Sequence, residues 1–119
     1  MSNITKGNPV VTLVNVFTVA AENQQRLIDL LIQATEQTMK HLPGFVSASI
    51  HRSFDGTKVV NYAQWRSRAD FDAMRQNPQA QPHMAAAAAL AAFDPILCEV
   101  VESIGTASVG QSQSQGPVR

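Results

Sequence analysis

The sequence of 119 residues is poor in the features that mark several classes of protein. Its single cysteine, Cys98, excludes an intrachain disulfide and any metal site built from several cysteines. Nine Lys and Arg residues balance nine Asp and Glu residues without charged runs, so neither nucleic acid nor an anionic membrane surface is an expected partner. No apolar run approaches the ~18 to 20 residues that span a bilayer, and no signal-like segment opens the chain. A cytoplasmic protein that does not enter the membrane is expected.

The length of the chain fits one domain with a single hydrophobic core. Residues 1–9 are polar and include Gly7 and Pro9, which predicts a loose N-terminal lead-in. Residues 105–119 are rich in Gly, Ser and Gln, which predicts a flexible tail that is disordered or lies on a partner. The folded domain is therefore expected over residues 10–104.

Strand-like and helix-like patterns follow one another in the order βαββαβ. β-Branched runs predict strands, and leucines at helical spacing predict a long amphipathic helix that Pro43 stops. A turn is predicted at Asp55-Gly56, and the last helix is expected to end at Asp94-Pro95. The predicted strands cover residues 10–19, 45–53, 58–65 and 96–104, and the predicted helical segments cover residues 21–42, 67–76 and 83–93.

This element order predicts an α+β, ferredoxin-like fold in which helices cover one face of an antiparallel sheet. The other face would carry Val60, Tyr62 and apolar residues of the flanking strands. A contiguous exposed apolar patch of this kind usually marks an interface. We therefore expect a homodimer that packs sheet against sheet.

The run from Val59 to Trp65 is the most informative stretch for function. Strand side chains alternate between faces, so Val59, Asn61, Ala63 and Trp65 lie on one face of the sheet. An Asn side chain among apolar neighbours has four hydrogen-bonding positions, and leaving them unpaired in a core is costly. Either the amide bonds to local backbone or it faces a pocket beside the indole.

A family resemblance rests on three short runs, Leu42–Phe45, Asp55–Thr57 and Asn61–Trp65. Together they resemble the antibiotic biosynthesis monooxygenase family, over residues 10–104. Within that family the chain is most similar to the tetracenomycin-type, cofactor-independent oxygenases that convert polyketide anthrones or naphthacenones into quinones. The resemblance implies a dimeric α+β barrel, dioxygen as co-substrate and a small aromatic substrate. It also implies that Asn61 and Trp65 are the polar pair of the site.

The proton acceptor is expected to differ from that of the most similar family members. Phe71 stands where the actinorhodin-type enzymes carry a tyrosine, so another residue must move the proton. His83 follows Pro82 at the start of a helix and is the candidate, because histidine exchanges protons near neutral pH. A solvated or capping imidazole is the alternative interpretation. His41 and His51 are expected at the surface.

Four further residues are expected to contact the substrate. Asn15 and Phe17 share a face of the first strand, and Phe71 and Met74 share one side of the short helix. Asn15 either lines the pocket or satisfies a local hydrogen bond. The catalytic set expected from the sequence is Asn61, Trp65 and His83.

No cofactor is expected. The histidines and acidic residues show no metal-ligand spacing, and the sequence contains no glycine-rich phosphate loop or nucleophile elbow. The hypothesis is that an electron-rich phenol or quinol is deprotonated and reacts with dioxygen directly, and the product is a quinone.

Two other functions remain open from the sequence. A dimeric ligand-binding or stress module of the same fold would do no chemistry, since fold does not fix function. In the heme-degrading branch of the family, the pocket resembles a set of one Asn, one Trp and one His. Asn15 and His83 fit the strand and helix positions of the Asn and the His. Met74, however, occupies the position of that branch's tryptophan.

Overall fold

The computed structural model describes residues 10–106 of the chain. The predicted lead-in over residues 1–9 lies outside the described residues, as does the predicted tail from residue 107 onward. Within the described part, no helix is long and apolar enough to cross a membrane. Short 3-10 turns flank the first helix at Ala21–Asn23 and Met39–His41. The main elements are β1 (Val11–Val19), α1 (Gln24–Gln37), β2 (Phe45–Arg52), β3 (Lys58–Trp65), α2 (Arg68–Arg75), α3 (Gln81–Leu90) and β4 (Ala91–Glu99).

The four strands form one antiparallel sheet in the order β2-β3-β1-β4. The predicted α+β, ferredoxin-like βαββαβ arrangement is therefore confirmed, with the second helical region divided into α2 and α3. The interruption falls at Asn77-Pro78, because the residue before a proline disfavours helix. Helix α2 begins at the predicted cap, where the Ser67 hydroxyl accepts a hydrogen bond from the Asp70 amide at 3.1 Å.

The end of the last helix and the last strand differ from prediction. Helix α3 stops at Leu90 rather than Phe93, and β4 covers Ala91–Glu99 rather than residues 96–104. Pairing of Phe93 with Phe17 and of Ala92 with Thr18 overrides the helical preference of the alanines. Pro95 lies inside the strand, which is tolerated because β4 is at the edge of the sheet.

Helices cover one face of the sheet, as expected, and their apolar residues bury it in two separate clusters. Val59, Ala63 and Trp65 of β3 are all buried on this face, whereas Tyr62 on the opposite face is 37% exposed. One cluster contains Phe17, Val19, Leu27, Ile28, Leu31, Val59 and Ala87. The other contains Leu13, Ala63, Trp65, Phe71, Met74 and Ala80.

A β-bulge sets which side chains of β2 join this buried face. Phe45 pairs with Trp65 and Ser47 with Gln64, so Val46 is the extra residue. Both Phe45 and Ala48 consequently lie on the helix side. Strict alternation from Phe45 would have placed Ser47 there instead.

Two tight connections fix the ends of β3. In the hairpin before β3, the Asp55 carboxylate accepts hydrogen bonds from the Thr57 amide, the Thr57 hydroxyl and the Ser53 hydroxyl, which lowers the pKa of Asp55 to about 2. Gln24 of α1 ties the same hairpin to the helix, because its amide donates to the carbonyls of Ser53 and Lys58.

At the other end of β3, Gly44 has a positive φ of 85° and lies against Asp70. Its carbonyl accepts from the Arg66 amide at 2.7 Å. The Arg66 guanidinium and the Ser67 hydroxyl both donate to the Asp70 carboxylate and hold its pKa below the usual range. This contact joins the start of β2 to the start of α2, next to Trp65.

Gly44→Ala is expected to lower the free energy of unfolding by more than Gly56→Ala. Both glycines have positive φ, which costs an L-residue about 1–2 kcal/mol. A Cβ at Gly56 meets only Ala21 at 3.9 Å, whereas a Cβ at Gly44 would overlap the Asp70 carboxylate. Urea unfolding of the two variants measures the difference. Equal losses would show that Asp70 moves away without cost.

Candidate active site

Two asparagines face each other across the central strands on the helix side of the sheet. Asn15 of β1 and Asn61 of β3 are directly paired. Neither side chain has a hydrogen-bond partner among the described residues, and the Oδ1 atom of each is fully buried. One other buried side-chain atom in the described part lacks a partner, Gln64 Oε1, which lies on the opposite face. The paired amides therefore keep unused hydrogen-bonding capacity in the interior, which is unfavourable unless a ligand uses it.

The asparagine pair separates the two apolar clusters. Along β1 it lies between Leu13 of one cluster and Phe17 of the other, and along β3 it lies between Ala63 and Val59. An amide cannot pack there without losing its hydrogen bonds to water. The core is therefore interrupted at the middle of the sheet.

A cavity of about 150 Å³ occupies this interruption, between the sheet and the helices. Apart from His83, its lining contains no titratable or charged side chain. Such a lining offers no charged partner to an ion in solution but suits an aromatic ring, with the two amides available for oxygen substituents. The lining residues are Leu13, Asn15, Phe17, Leu31, Ala34, Thr35, Met39, Phe45, Ala48, Asn61, Ala63, Trp65, Met74, His83, Met84, Ala87 and Phe93.

Trp65 forms one end of the cavity and is 2% exposed. Phe45 packs edge-on against its indole, with ring centroids 5.5 Å apart and an interplanar angle of 88°. At the other end, Phe17 contacts the half-exposed Phe93 at 5.8 Å. Aromatic side chains thus bound the cavity at both ends and the amides lie between them.

The helices supply the opposite wall. Ala80, just before α3, packs into one apolar cluster, and Ala87 of α3 packs into the other. His83 and Met84 lie between them and line the cavity opposite the asparagine pair. His83 Nε2 lies 3.0 Å from the Thr38 hydroxyl at the end of α1. The cavity therefore contains one group able to accept a proton at neutral pH, opposite two amides able to donate or accept hydrogen bonds.

The structure brings six of the seven predicted site residues to this cavity. Asn61, Trp65 and His83 line it, and so do Asn15, Phe17 and Met74. Phe71 does not line it. Its ring is buried in the core cluster with Trp65 and Met74, and the Arg75 guanidinium lies 5.9 Å from its centroid. Phe71 therefore packs in the core cluster, outside the cavity lining, and its contact with substrate stays a prediction.

The other histidines lie where they were expected. His51 is exposed on β2, and exposed His41 approaches the Glu36 carbonyl through Nε2 at 3.1 Å. Among residues 10–106, no group of three or more His, Cys, Asp or Glu side chains could hold a metal ion.

Several lining residues were missed from the sequence. Thr35 lies in α1 and Met39 follows it, where the sequence indicated only a long amphipathic helix. Met84 follows His83 in a run of alanines, and Phe93 was expected in a helix. Only the pairing of distant elements shows that these residues surround one space.

Known proteins that resemble this chain share its fold, and several of them are described as monooxygenases. A family model described as antibiotic biosynthesis monooxygenase matches residues 10–89. Tetracenomycin-F1 monooxygenase of Streptomyces glaucescens is 51% identical over 108 residues, which cover 91% of this chain and 96% of that protein.

Solved structures are similar over most of the chain. A monooxygenase from the gene ActVA-Orf6 of Streptomyces coelicolor, in complex with the ligand nanaomycin D, is 28% identical with a TM-score of 0.72, covering 89% of this chain and 100% of that one. SnoaB, a cofactor-independent oxygenase from Streptomyces nogalater, is 26% identical with a TM-score of 0.68, covering 82% of this chain and 99% of that one.

Asn61→Leu is expected to raise the free energy of unfolding by about 1 kcal/mol, because a side chain of similar shape removes an unpaired buried amide. Asn77→Leu is the matched control, since Asn77 Oδ1 accepts a hydrogen bond from the Gln79 amide at 2.7 Å in an exposed turn. That variant should be less stable than wild type. Thermal unfolding compares the three proteins, and a destabilised Asn61→Leu would mean that the native amide is satisfied.

Proposed function

Because the chain belongs to the antibiotic biosynthesis monooxygenase family, we propose that it oxidises a phenolic polycyclic substrate with dioxygen, without a cofactor, to a quinone. The substrate class is the anthrone or naphthacenone type. A simpler quinol is the second substrate class. The name of the 51% identical relative and the cofactor-independent description of SnoaB support this proposal.

The observation that carries the proposal is the unpaired Asn15 and Asn61 amides facing an otherwise apolar cavity that also holds His83. A phenol that loses its proton becomes an oxyanion, and preorganised amide N–H groups in a water-poor site stabilise such charge strongly. His83 would accept the proton. Trp65 would bound the ring and direct its own N–H toward an oxygen substituent or the peroxide.

The reaction then needs no redox group from the protein. Breaking the phenol O–H bond transfers the proton to His83, and the resulting carbanion-like ring carbon transfers one electron to dioxygen. Recombination of the two radicals forms a carbon–oxygen bond to a peroxide, which takes up the proton. Loss of water from this hydroperoxide, with the remaining hydrogen of that carbon, leaves a carbonyl. One oxygen atom enters the quinone and the other leaves in water.

The cavity accommodates a polycyclic ligand only if its wall adjusts. An apolar cavity of roughly 150 Å³ holds one benzene ring. Met39, Met74 and Met84 line it, and methionine side chains adapt to irregular shapes because they are unbranched and flexible. The methionines are therefore the side chains expected to rearrange when additional rings enter.

The direct test is oxygen uptake by chelator-treated protein supplied with a hydroxylated anthrone. We expect consumption of one dioxygen per quinone formed, with one labelled oxygen atom in the product when labelled dioxygen is used. A binding module of the same fold would bind the anthrone and consume no oxygen above the spontaneous rate. That result would refute the proposal.

His83→Ala and Asn61→Ala are expected to respond differently to pH. Loss of the proton acceptor should lower turnover by about 10²-fold or more, and the loss should shrink as pH rises and the phenol ionises unaided. Loss of the Asn61 amide should cost activity at every pH. His41→Ala, which removes an exposed histidine outside the cavity, is the control. A loss in His83→Ala that is independent of pH would remove His83 from the proton transfer.

We also propose that the chain forms a homodimer through the open face of the sheet. Apolar side chains of Val14, Val16, Val60, Tyr62 and Ile96 share this face, and Tyr62 and Ile96 are 37% and 48% exposed. Their adjacent positions on three strands form the kind of contiguous apolar surface that subunits bury.

Tyr62→Glu is expected to shift the protein from dimer to monomer at micromolar concentration, because it places a charge at the centre of this apolar face. Ile32→Glu is the matched control, since Ile32 is 46% exposed but lies on the outer side of α1. Sedimentation velocity distinguishes the species. A monomeric wild type would contradict the dimer, and equal effects of both substitutions would place the interface elsewhere.

A further inference from the structure

The imidazole of His83 is oriented by a residue that no sequence motif indicates. Thr38 Oγ1 lies 3.0 Å from His83 Nε2, although the two residues are 45 positions apart in the chain. Among the described residues, Nδ1 of the same ring has no hydrogen-bond partner. The bond to Thr38 therefore fixes the ring, and Nδ1 is the nitrogen left for a ligand in the cavity.

Backbone hydrogen bonds hold both residues of this pair, Thr38 and His83, in place. The Thr38 amide donates to the Ala34 carbonyl at 3.0 Å, and the Thr38 carbonyl accepts from the His41 amide at 3.0 Å. The His83 amide donates to the Ala80 carbonyl at 3.1 Å in the first turn of α3. Threonine is β-branched and has few side-chain rotamers, so its hydroxyl direction is restricted. The pair is thus preorganised before any ligand enters.

We propose that Thr38 is a positioning residue that accepts a hydrogen bond from the Nε2–H of His83 and so keeps the lone pair on Nδ1 for the substrate. The inference rests on the oxygenase function proposed above. A neutral imidazole carries one N–H, so an Nε2–H form is the one whose Nδ1 accepts a proton. After the phenol proton moves to Nδ1, the Thr38 oxygen still accepts from Nε2–H. The same bond therefore serves both charge states.

Within the described part of the chain, no charged or titratable side chain near the cavity is placed to orient the His83 ring in place of Thr38. Apart from His83, the cavity lining contains no titratable side chain. On the elements packed against α3, the carboxylates of α1 and β4 are exposed, and Glu36 is paired with Lys40 at 2.6 Å. Thr38 itself is only partly buried, so its own hydroxyl proton can be directed to water while its oxygen accepts.

The first measurement is the ring state of His83 from the nitrogen NMR signals of the neutral imidazole, assigned with the His83→Ala variant. Wild type should show the Nε2–H form. Thr38→Val, which keeps the side-chain shape but removes the oxygen, should give a mixture of both forms. Thr38→Ser should restore the Nε2–H form. Thr35→Val is the matched control, because the Thr35 hydroxyl donates to the Leu31 carbonyl at 2.8 Å and does not bond to His83.

The second measurement is a double-mutant cycle on oxygen uptake with a hydroxylated anthrone. Thr38→Val should lower kcat by about threefold to tenfold, the effect of one hydrogen bond, with KM nearly unchanged. In the His83→Ala background the same substitution should cause no further loss, because Thr38 acts through the imidazole. Thr38→Ser should recover most of the wild-type kcat.

The outcomes separate this inference from the proposed function. A wild-type ring in the Nδ1–H form, unchanged ring signals in Thr38→Val, or an equal loss of kcat in both backgrounds would each overturn the role of Thr38. If wild type consumes no oxygen, the oxygenase proposal fails and the role in proton transfer falls with it. The NMR signals would then still show whether Thr38 sets the ring state.

Discussion

The arrangement of the core and the cavity depends on one pair of polar side chains, which lie where a small domain would normally have continuous apolar packing. Asn15 and Asn61 are paired at the centre of the sheet, on the face that the helices cover. Their amides lack partners within the described chain, and the apolar residues on either side form two clusters instead of one. An unpaired buried polar group costs about 1–3 kcal/mol, a substantial part of the stability of a domain of this size. Such a cost is commonly retained where a ligand supplies the missing hydrogen bonds.

The rest of the fold compensates for this interruption by fixing the elements around it. Gln24 ties α1 to the hairpin before β3, and the close contact of Gly44 with Asp70 ties β2 to α2. These two connections lie at opposite ends of β3, so the strand that carries Asn61 and Trp65 is held at both ends. The cavity lies between the two apolar clusters. It can remain open while the surrounding elements stay in place, because the tight packing is in those clusters.

The cavity also combines rigid and adaptable walls. Trp65 and Phe45 pack edge-on, and the Thr38–His83 bond joins the ends of two helices, so the polar groups are directed before a ligand arrives. The three methionines provide the adaptable part. In a reaction where the substrate itself reduces dioxygen, the protein contributes mainly orientation, exclusion of water and stabilisation of charge, and this division of the wall suits those tasks.

The sequence by itself determined the element order, the buried face of β3 and six of the residues that line the candidate site. Alternation placed Asn61 and Trp65 together, and strong local signals, such as the Ser67 cap and the Asp55-Gly56 turn, act over a few residues and can be recognised without the fold. Tertiary structure decided the features that depend on pairing between distant segments. The bulge at Val46, the start of β4 at Ala91 and the position of Phe71 behind the cavity all follow from strand pairing and helix packing that override local preference. The bond between Thr38 and His83 joins two helices far apart in the chain, and no periodicity in either helix specifies its partner, because a hydrogen bond depends on atomic positions that only the packed domain fixes.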